Sequence, residues 1–247
     1  MRICVERKYM YQFKSRVRYS EINSEQQLTL SALLDYLQDC CTFESEELEI
    51  GVDYLAREKV AWVLSSWEIQ IARYPKMGEE ICVGTWPYDF KGFYGYRNFL
   101  IKDENGTELV RANSVWVFMD TERMRPIKIS DDMVKAYRDK ITEGLSGEWG
   151  DRKVAVPDGG EKKEPVRVAR FHIDTNHHMN NGKYVLVAEE LLPENFMVGG
   201  LRVEYRKAAV LGDTLYPVVT VGEQSATVVL GGEADEVYAV VQFLRRQ

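Results

Sequence analysis

Apolar and polar residues alternate through Tyr11, Phe13, Ser15, Val17 and Tyr19, which predicts a strand. Leu30, Leu33, Leu34, Leu37 and Cys41 then recur at i, i+3, i+4 and i+7, the spacing of one buried helix face. Alternation resumes with Val63, Ser65, Trp67, Ile69 and Ile71, and further strands read out of GEEICVGTW, YGYRNFLI and the run Val110, Ala112, Ser114, Trp116, Phe118. Pro75 and the Glu104-Asn105-Gly106 tip separate them, as meander hairpins require. After residue 165 the order restarts. PVRVARFHI reads as a strand, and Tyr184, Val187, Ala188 and Leu191 form a helical stripe. LRVEY, TLYPVVTV, ATVVL and EVYAVVQFL follow as strands, the last apolar on both faces and so expected at the centre of its sheet.

The two halves read as copies of one unit. Laying residues 17–27 (VRYSEINSEQQ) on 168–178 (VARFHIDTNHH) matches Val17 with Val168, Ile22 with Ile173 and Ser24 with Thr175 without a gap. The match falls at the strand-to-helix junction of both halves, where an internal duplication should show. Residues 139–164 are rich in Gly and charge and read as a linker between domains 1–138 and 165–247. A helix wrapped by a curved antiparallel sheet is the hotdog fold, so the expected class is α+β with two tandem hotdogs.

Composition narrows the function. With 247 residues, 45% apolar and 29% charged, the chain can bury a sizeable core. It has no apolar run approaching the roughly 20 residues of a membrane span, and the polar N-terminal segment is unlike a signal peptide, so a cytoplasmic protein is expected. Cys4, Cys40, Cys41 and Cys82 form no C-x-x-C pair and have no histidine at metal spacing; they are read as reduced packing residues, with no metal and no cofactor. Lys plus Arg total 32 against 39 Asp plus Glu, a net charge of −7, which speaks against nucleic-acid binding.

The chemistry concentrates in Asp174-Thr175-Asn176-His177-His178-Met179-Asn180-Asn181-Gly182-Lys183-Tyr184, where polar side chains crowd the entry to an apolar helix. Helix N-termini carry free N–H groups and partial positive charge, so a carbonyl placed there would have its oxyanion stabilised beside an imidazole base. A plain N-cap would need one such residue rather than five.

This segment meets the D-x-N-x-H-[VM]-N-N-x-x-Y signature of the plant and bacterial acyl-ACP thioesterase family, which the chain resembles. GTWPYDFKGFYGYRNFLI and RANSVWVFMDTERMRPIKI are similar to two further family segments, so the resemblance runs from about residue 8 to residue 244. It implies hydrolysis of fatty acyl-ACP in fatty acid biosynthesis, with Asp174, Asn176 and His178 as catalytic residues. The plant enzymes also place a Glu after a Y-R-R stretch, whereas here Tyr205-Arg206-Lys207 runs into Ala208 and Ala209. Glu190, expected nearer the apolar stripe than Glu189, or Glu204 could supply that carboxylate, or three residues suffice. Asn180, Asn181 and N–H groups around 180–182 would assist at the oxyanion. Attack by water activated on His178 and direct attack by Asp174 both stay open.

The first half sets Asn23, Glu25 and Gln27 opposite Asp174, Asn176 and His178, and so lacks an imidazole. One active site per chain follows. The first half is expected to bind the acyl chain through Leu30, Leu33, Leu34, Leu37, Trp86, Phe90 and Phe93. An acidic carrier protein would need a local basic patch, for which Arg123, Arg125, Lys128, Arg206 and Lys207 are candidates. Monomer and homodimer are both open. The competing readings are an acyl-CoA thioesterase of the same fold and a non-catalytic acyl-binding module.

Overall fold

The computed structural model describes residues 9–246, which fall into two compact units. The first comprises the described residues up to Leu64 together with Ile71–Trp149; the second comprises Ser65–Gln70 and the chain from Gly150 onward.

In the first unit β1 (Tyr11–Arg16) leads into α1 (Leu30–Glu47), α2 (Val52–Glu58), β2 (Val60–Ile71), β3 (Glu80–Lys91), β4 (Tyr94–Asp103), β5 (Glu108–Asp120), the short β6 (Arg125–Pro126) and α3 (Asp131–Tyr137). The strands run in the order β1-β3-β4-β5-β2, with antiparallel register along β1, β3, β4 and β5. Gly92, at φ +66°, closes the β3–β4 hairpin in a conformation that costs any residue with a Cβ. Thr29 caps α1 by accepting the Ala32 N–H at 3.2 Å, and the helix buries Leu30, Leu33, Leu34, Leu37, Cys40, Cys41 and Glu44 along one stripe. Each buried leucine contributes roughly 2 kcal/mol.

Both faces of β3 are covered. The Cys40 thiol of α1 meets the Val83 carbonyl at 3.6 Å, and buried Glu44 of α1 pairs with Arg97, which donates to Thr85 at 3.2 Å. Val83 and Thr85 therefore face the helix, and the alternation of strand side chains sends Gly84 and Trp86 to the other side. There Trp86 packs with Met10, Leu100 and Leu145 and donates its indole N–H to the Glu143 carbonyl at 3.1 Å.

In the second unit, β7 (Glu161–Lys162) and β8 (Val166–Arg167) precede α4 (Asn181–Glu189), β9 (Val198–Tyr205), β10 (Thr214–Val221), β11 (Ser225–Gly231) and β12 (Val237–Arg245). The order is β9-β12-β11-β10-β7, with β8 also on β10 and Ser66–Gln70 of β2 pairing with β9. The strand read as apolar on both faces is β12, and it lies between β9 and β11. Each unit is thus a helix on an antiparallel sheet, an α+β arrangement.

The segment expected to be a linker is bound along its length. The Leu145 N–H donates to Asn98 Oδ1 at 2.8 Å in the first unit. In the second, Gly150 N–H donates to Glu68 at 2.7 Å and Val154 N–H to Glu204 at 3.0 Å. The expectation of four reduced cysteines is also corrected: Cys40 and Cys41 are buried free thiols, but Cys82 is disulfide-bonded, and Cys4 lies outside the described residues. No helix among the described residues is long and apolar enough to cross a membrane.

Candidate active site

The segment 169–182 folds as a 3-10 turn, a tight polar loop and the start of α4. His172 ends the turn, its Nδ1 accepting the Ala169 N–H at 3.0 Å; burial, and then the Lys183 charge, lower its pKa and favour the neutral ring. The loop closes when Asp174 N–H donates to the His178 carbonyl at 2.8 Å and Asp174 Oδ1 accepts the N–H groups of Asn176 at 2.8 Å and His178 at 3.3 Å. His177 sits at the tip with φ +61°. A bridge from His178 to Val210, and Met179 N–H on the Ala209 carbonyl at 2.8 Å, fix the loop to the turn that follows β9.

The first unit repeats this loop bond for bond. Asn23 Oδ1 accepts the N–H groups of Glu25 and Gln27, both at 3.0 Å, Gln26 takes φ +62°, and Gln27 bridges to Lys76. The gapless sequence match is therefore a match of backbone hydrogen bonds.

Asn176 is exposed and His178 half-buried, and their side chains make no hydrogen bond among the described residues, so both are available to a ligand. Asp174 is joined to His178 through the loop backbone rather than through the imidazole. Asn180 is the N-cap of α4: its Oδ1 accepts the Gly182 N–H at 2.9 Å, and its own N–H donates to the His172 carbonyl at 2.8 Å. Of the three N–H groups expected at the oxyanion, only that of Asn181 lacks a protein acceptor among the described residues. The Asn181 carbonyl accepts from the Tyr205 hydroxyl at 2.9 Å, which seats the first helical turn against β9.

Neither expected supporting carboxylate lies in this arrangement. Tyr205 touches α4, so its strand neighbour Glu204 points to the opposite face of β9, where it accepts from Val154 N–H and from Arg206 at 2.9 Å. These two hydrogen bonds lower its pKa against the opposing cost of burial. Glu190 is the exposed C-cap of α4, about 12–14 Å along the helix axis from Asn181. The sequence reading of that helix is corrected: Glu189 is the inward residue, and burial, then the Glu190 charge, push its carboxyl up to about 7. Where the family resemblance leads one to expect a Glu, exposed Ala208 precedes Ala209, whose N–H donates to the Tyr184 hydroxyl at 2.7 Å. Tyr184 and Tyr205 are supporting residues that sequence reasoning missed, although the signature includes Tyr184.

The residues expected to bind the acyl chain divide between faces. Leu30, Leu33, Leu34 and Leu37 line the inner side of α1, and Phe90 joins them on that side, stacked on Trp62 and 5.7 Å from the Tyr137 ring. Phe93 lies at the hairpin tip against Tyr94, and Trp86 is on the far side of β3, which corrects its grouping with the leucines. The candidate docking cations also divide. Arg206 pairs with Glu204, Lys207 with Glu236 and Arg123 with Asp120, whereas exposed Arg125 and Lys128 make no ion pair among the described residues.

Comparison with known proteins adds an independent line. The family model of the acyl-ACP thioesterase N-terminal domain matches residues 7–137, and that of the C-terminal domain residues 157–234. A chloroplastic acyl-[acyl-carrier-protein] hydrolase of Cuphea viscosissima is 26% identical over 221 residues, 83% of this chain and 52% of the relative. A dodecanoyl-[acyl-carrier-protein] hydrolase of Cinnamomum camphora is 25% identical over 248 residues, 89% of this chain and 59% of the relative. The chain spans about half the length of the curated relatives it matches. Among solved structures, an acyl-ACP thioesterase from Bacteroides thetaiotaomicron superposes with TM-score 0.87 at 20% identity, over 98% of this chain and 100% of that one. The 12:0-ACP thioesterase from Umbellularia californica gives 0.85 at 19%, over 96% and 97%. These likenesses show the fold, two tandem hotdogs. With its N- and C-terminal family domains matched in order, the chain belongs to the acyl-ACP thioesterase family.

Proposed function

We propose that this protein hydrolyses the thioester between a fatty acyl chain and its acyl carrier protein, releasing the free fatty acid. The observation that carries the reading is the contrast between two loops of one backbone design. That of the second unit holds an imidazole and an amide with no partner among the described residues, just ahead of Asn181, whose N–H likewise lacks one among them, and that of the first holds Gln27 and Glu25 in their places. His178 takes a proton from water as the water oxygen attacks the thioester carbonyl. The Asn176 amide and the Asn181 N–H donate to the resulting oxyanion. The tetrahedral intermediate collapses, the carbon–sulfur bond breaks, and the imidazolium returns its proton to the leaving thiolate. Asp174 holds the loop that presents both groups and places negative charge near the imidazolium. The leucines of α1 and Phe90 supply apolar surface for the acyl chain.

The test measures thiol release by purified protein from acyl-ACP and acyl-CoA in parallel, with His178→Ala as the blank. Release from acyl-ACP in preference to acyl-CoA, abolished in the variant, is expected. Absence of hydrolysis of either substrate would overturn the proposal.

A further inference from the structure

The duplication supplies an internal control for the surface around the loop. Equivalent positions lie on one backbone: Arg16 pairs in register with Glu80 in the first unit, and Arg167 with Thr214 in the second. In the first unit three rim cations are neutralised, Arg16 by Glu80 at 2.7 Å, Arg18 by Glu21, and Arg73 by Glu79 at 2.6 Å, while exposed Lys76 makes no ion pair among the described residues. In the second, Thr214 stands where the acid Glu80 would be, Arg170 where the first unit has Tyr19, and Lys183 where it has Ala32. Arg167 and Arg170 are exposed, Lys183 is half-buried, and none of the three makes an ion pair among the described residues. The two acids of this rim are Asp174 and Asp213. Each spends an oxygen on backbone N–H groups, and Asp213 also accepts the Tyr238 hydroxyl at 3.0 Å. The rim is also more apolar than its counterpart. Phe171, 73% exposed, stands where the first unit has Ser20, and Val210, 43% exposed, where it has Lys76, with Leu211 beside it at 55%. Arg167 ends β8, Thr214 begins β10, Lys183 lies in the first turn of α4, and Arg170, Phe171, Val210 and Leu211 lie on the two turns that hold the His178 loop.

We infer that this basic and apolar rim, with Arg167, Arg170, Phe171, Lys183 and Leu211, is the docking surface for an acidic acyl carrier protein. The inference rests on the proposed function and adds the place of contact. Cations that no acid among the described residues neutralises are open to an incoming anion, and exposed apolar side chains beside them fit the centre of an interface. A carrier docked here brings its thioester arm to His178 directly. The net charge of −7 makes such a local positive area a selective one.

The experiment compares wild type, Arg167→Glu/Arg170→Glu and Phe171→Ser on acyl-ACP, acyl-CoA and a short soluble acyl thioester, with thermal unfolding recorded for each. Ser is the residue that the same turn carries in the first unit, so Phe171→Ser keeps the test alive if the charge-reversed variant unfolds. The expected result is a rise of about tenfold or more in KM for acyl-ACP in the double variant, and a smaller rise for Phe171→Ser. Both should retain wild-type turnover of the short thioester, and the wild-type KM for acyl-ACP should rise with salt. An equal rise for acyl-CoA would overturn the inference in favour of a phosphate site, and unchanged KM values would overturn it outright. If the wild type hydrolyses none of the substrates, it is the proposed function that fails.

Discussion

Asp174 and Asn23 hold the same loop, each accepting the N–H groups of the residues two and four places further on. An amide therefore does the structural work in one unit that a carboxylate does in the other, which separates the fold role of Asp174 from its charge.

Asp174→Asn should accordingly keep the loop, with unfolding stability close to wild type, while Asp174→Ala loses both hydrogen bonds at a cost of about 1–3 kcal/mol. If the Asp174 charge supports the proposed imidazolium, turnover should fall by about 10²-fold or more in both variants. Thermal unfolding with steady-state rates on acyl-ACP decides it. An active Asp174→Asn enzyme would reduce Asp174 to a loop anchor.

The adjacent histidines should behave oppositely. His178→Ala is expected to lower turnover by about 10²-fold or more with little change in stability, since that ring makes no hydrogen bond among the described residues. His177 holds a left-handed conformation, which costs a non-glycine residue about 1–2 kcal/mol, so His177→Gly should stay folded within about 1 kcal/mol of wild type. It should also remain active. Rates for the two variants side by side are the check, and a dead His177→Gly with an active His178→Ala would reverse the assignment.

The loop was legible in the sequence because its hydrogen bonds join residues two to four apart, so eleven consecutive letters carry the whole pattern. The faces of β3 were not. Buried residues continue from Ile81 through Trp86 because α1 covers one side and the strap through Leu145 the other, and apolarity alone cannot say which side a residue serves. The strap was hidden as well: its Gly and charge content reads as a free linker, while its anchors are backbone N–H groups at Leu145, Gly150 and Val154, which leave no trace in composition. The orientation of Glu204 could have been read, since strand alternation puts it opposite Tyr205.

That division of faces yields a prediction on chain length. Leu33 and Leu37 are fully buried on the inner face of α1, and if acyl carbons run along it, Leu→Ala there should shift preference toward longer chains. Each added methylene is worth roughly 0.8 kcal/mol, so two carbons change the rate ratio about tenfold. Trp86→Ala should leave the preference unchanged and cost about 3–5 kcal/mol of stability, because Trp86 packs under the strap. Hydrolysis across medium- and long-chain acyl-ACPs distinguishes these outcomes. Uniform loss on every length in the leucine variants would show that they serve only the core.

Glu189 sets a pH dependence of stability that is separable from catalysis. Burial, and then the neighbouring charge of Glu190, raise its folded-state pKa from 4.5 to about 7. Between those values the folded protein holds a proton that the unfolded chain has released, so stability falls as pH rises through this window. The contribution is fully present below about pH 4.5 and gone above about pH 7. Glu189→Gln replaces the carboxyl with a group of the same shape that never ionises. Its Tm should match wild type near pH 4 and exceed it at pH 8, with about 2–4 °C for each kcal/mol recovered. Glu190→Gln removes only the second cause and should give a smaller gain at pH 8. Melting curves recorded from pH 4 to pH 8 for the three proteins test this, and parallel profiles for wild type and Glu189→Gln would show that the carboxyl ionises in the folded protein as it does in water.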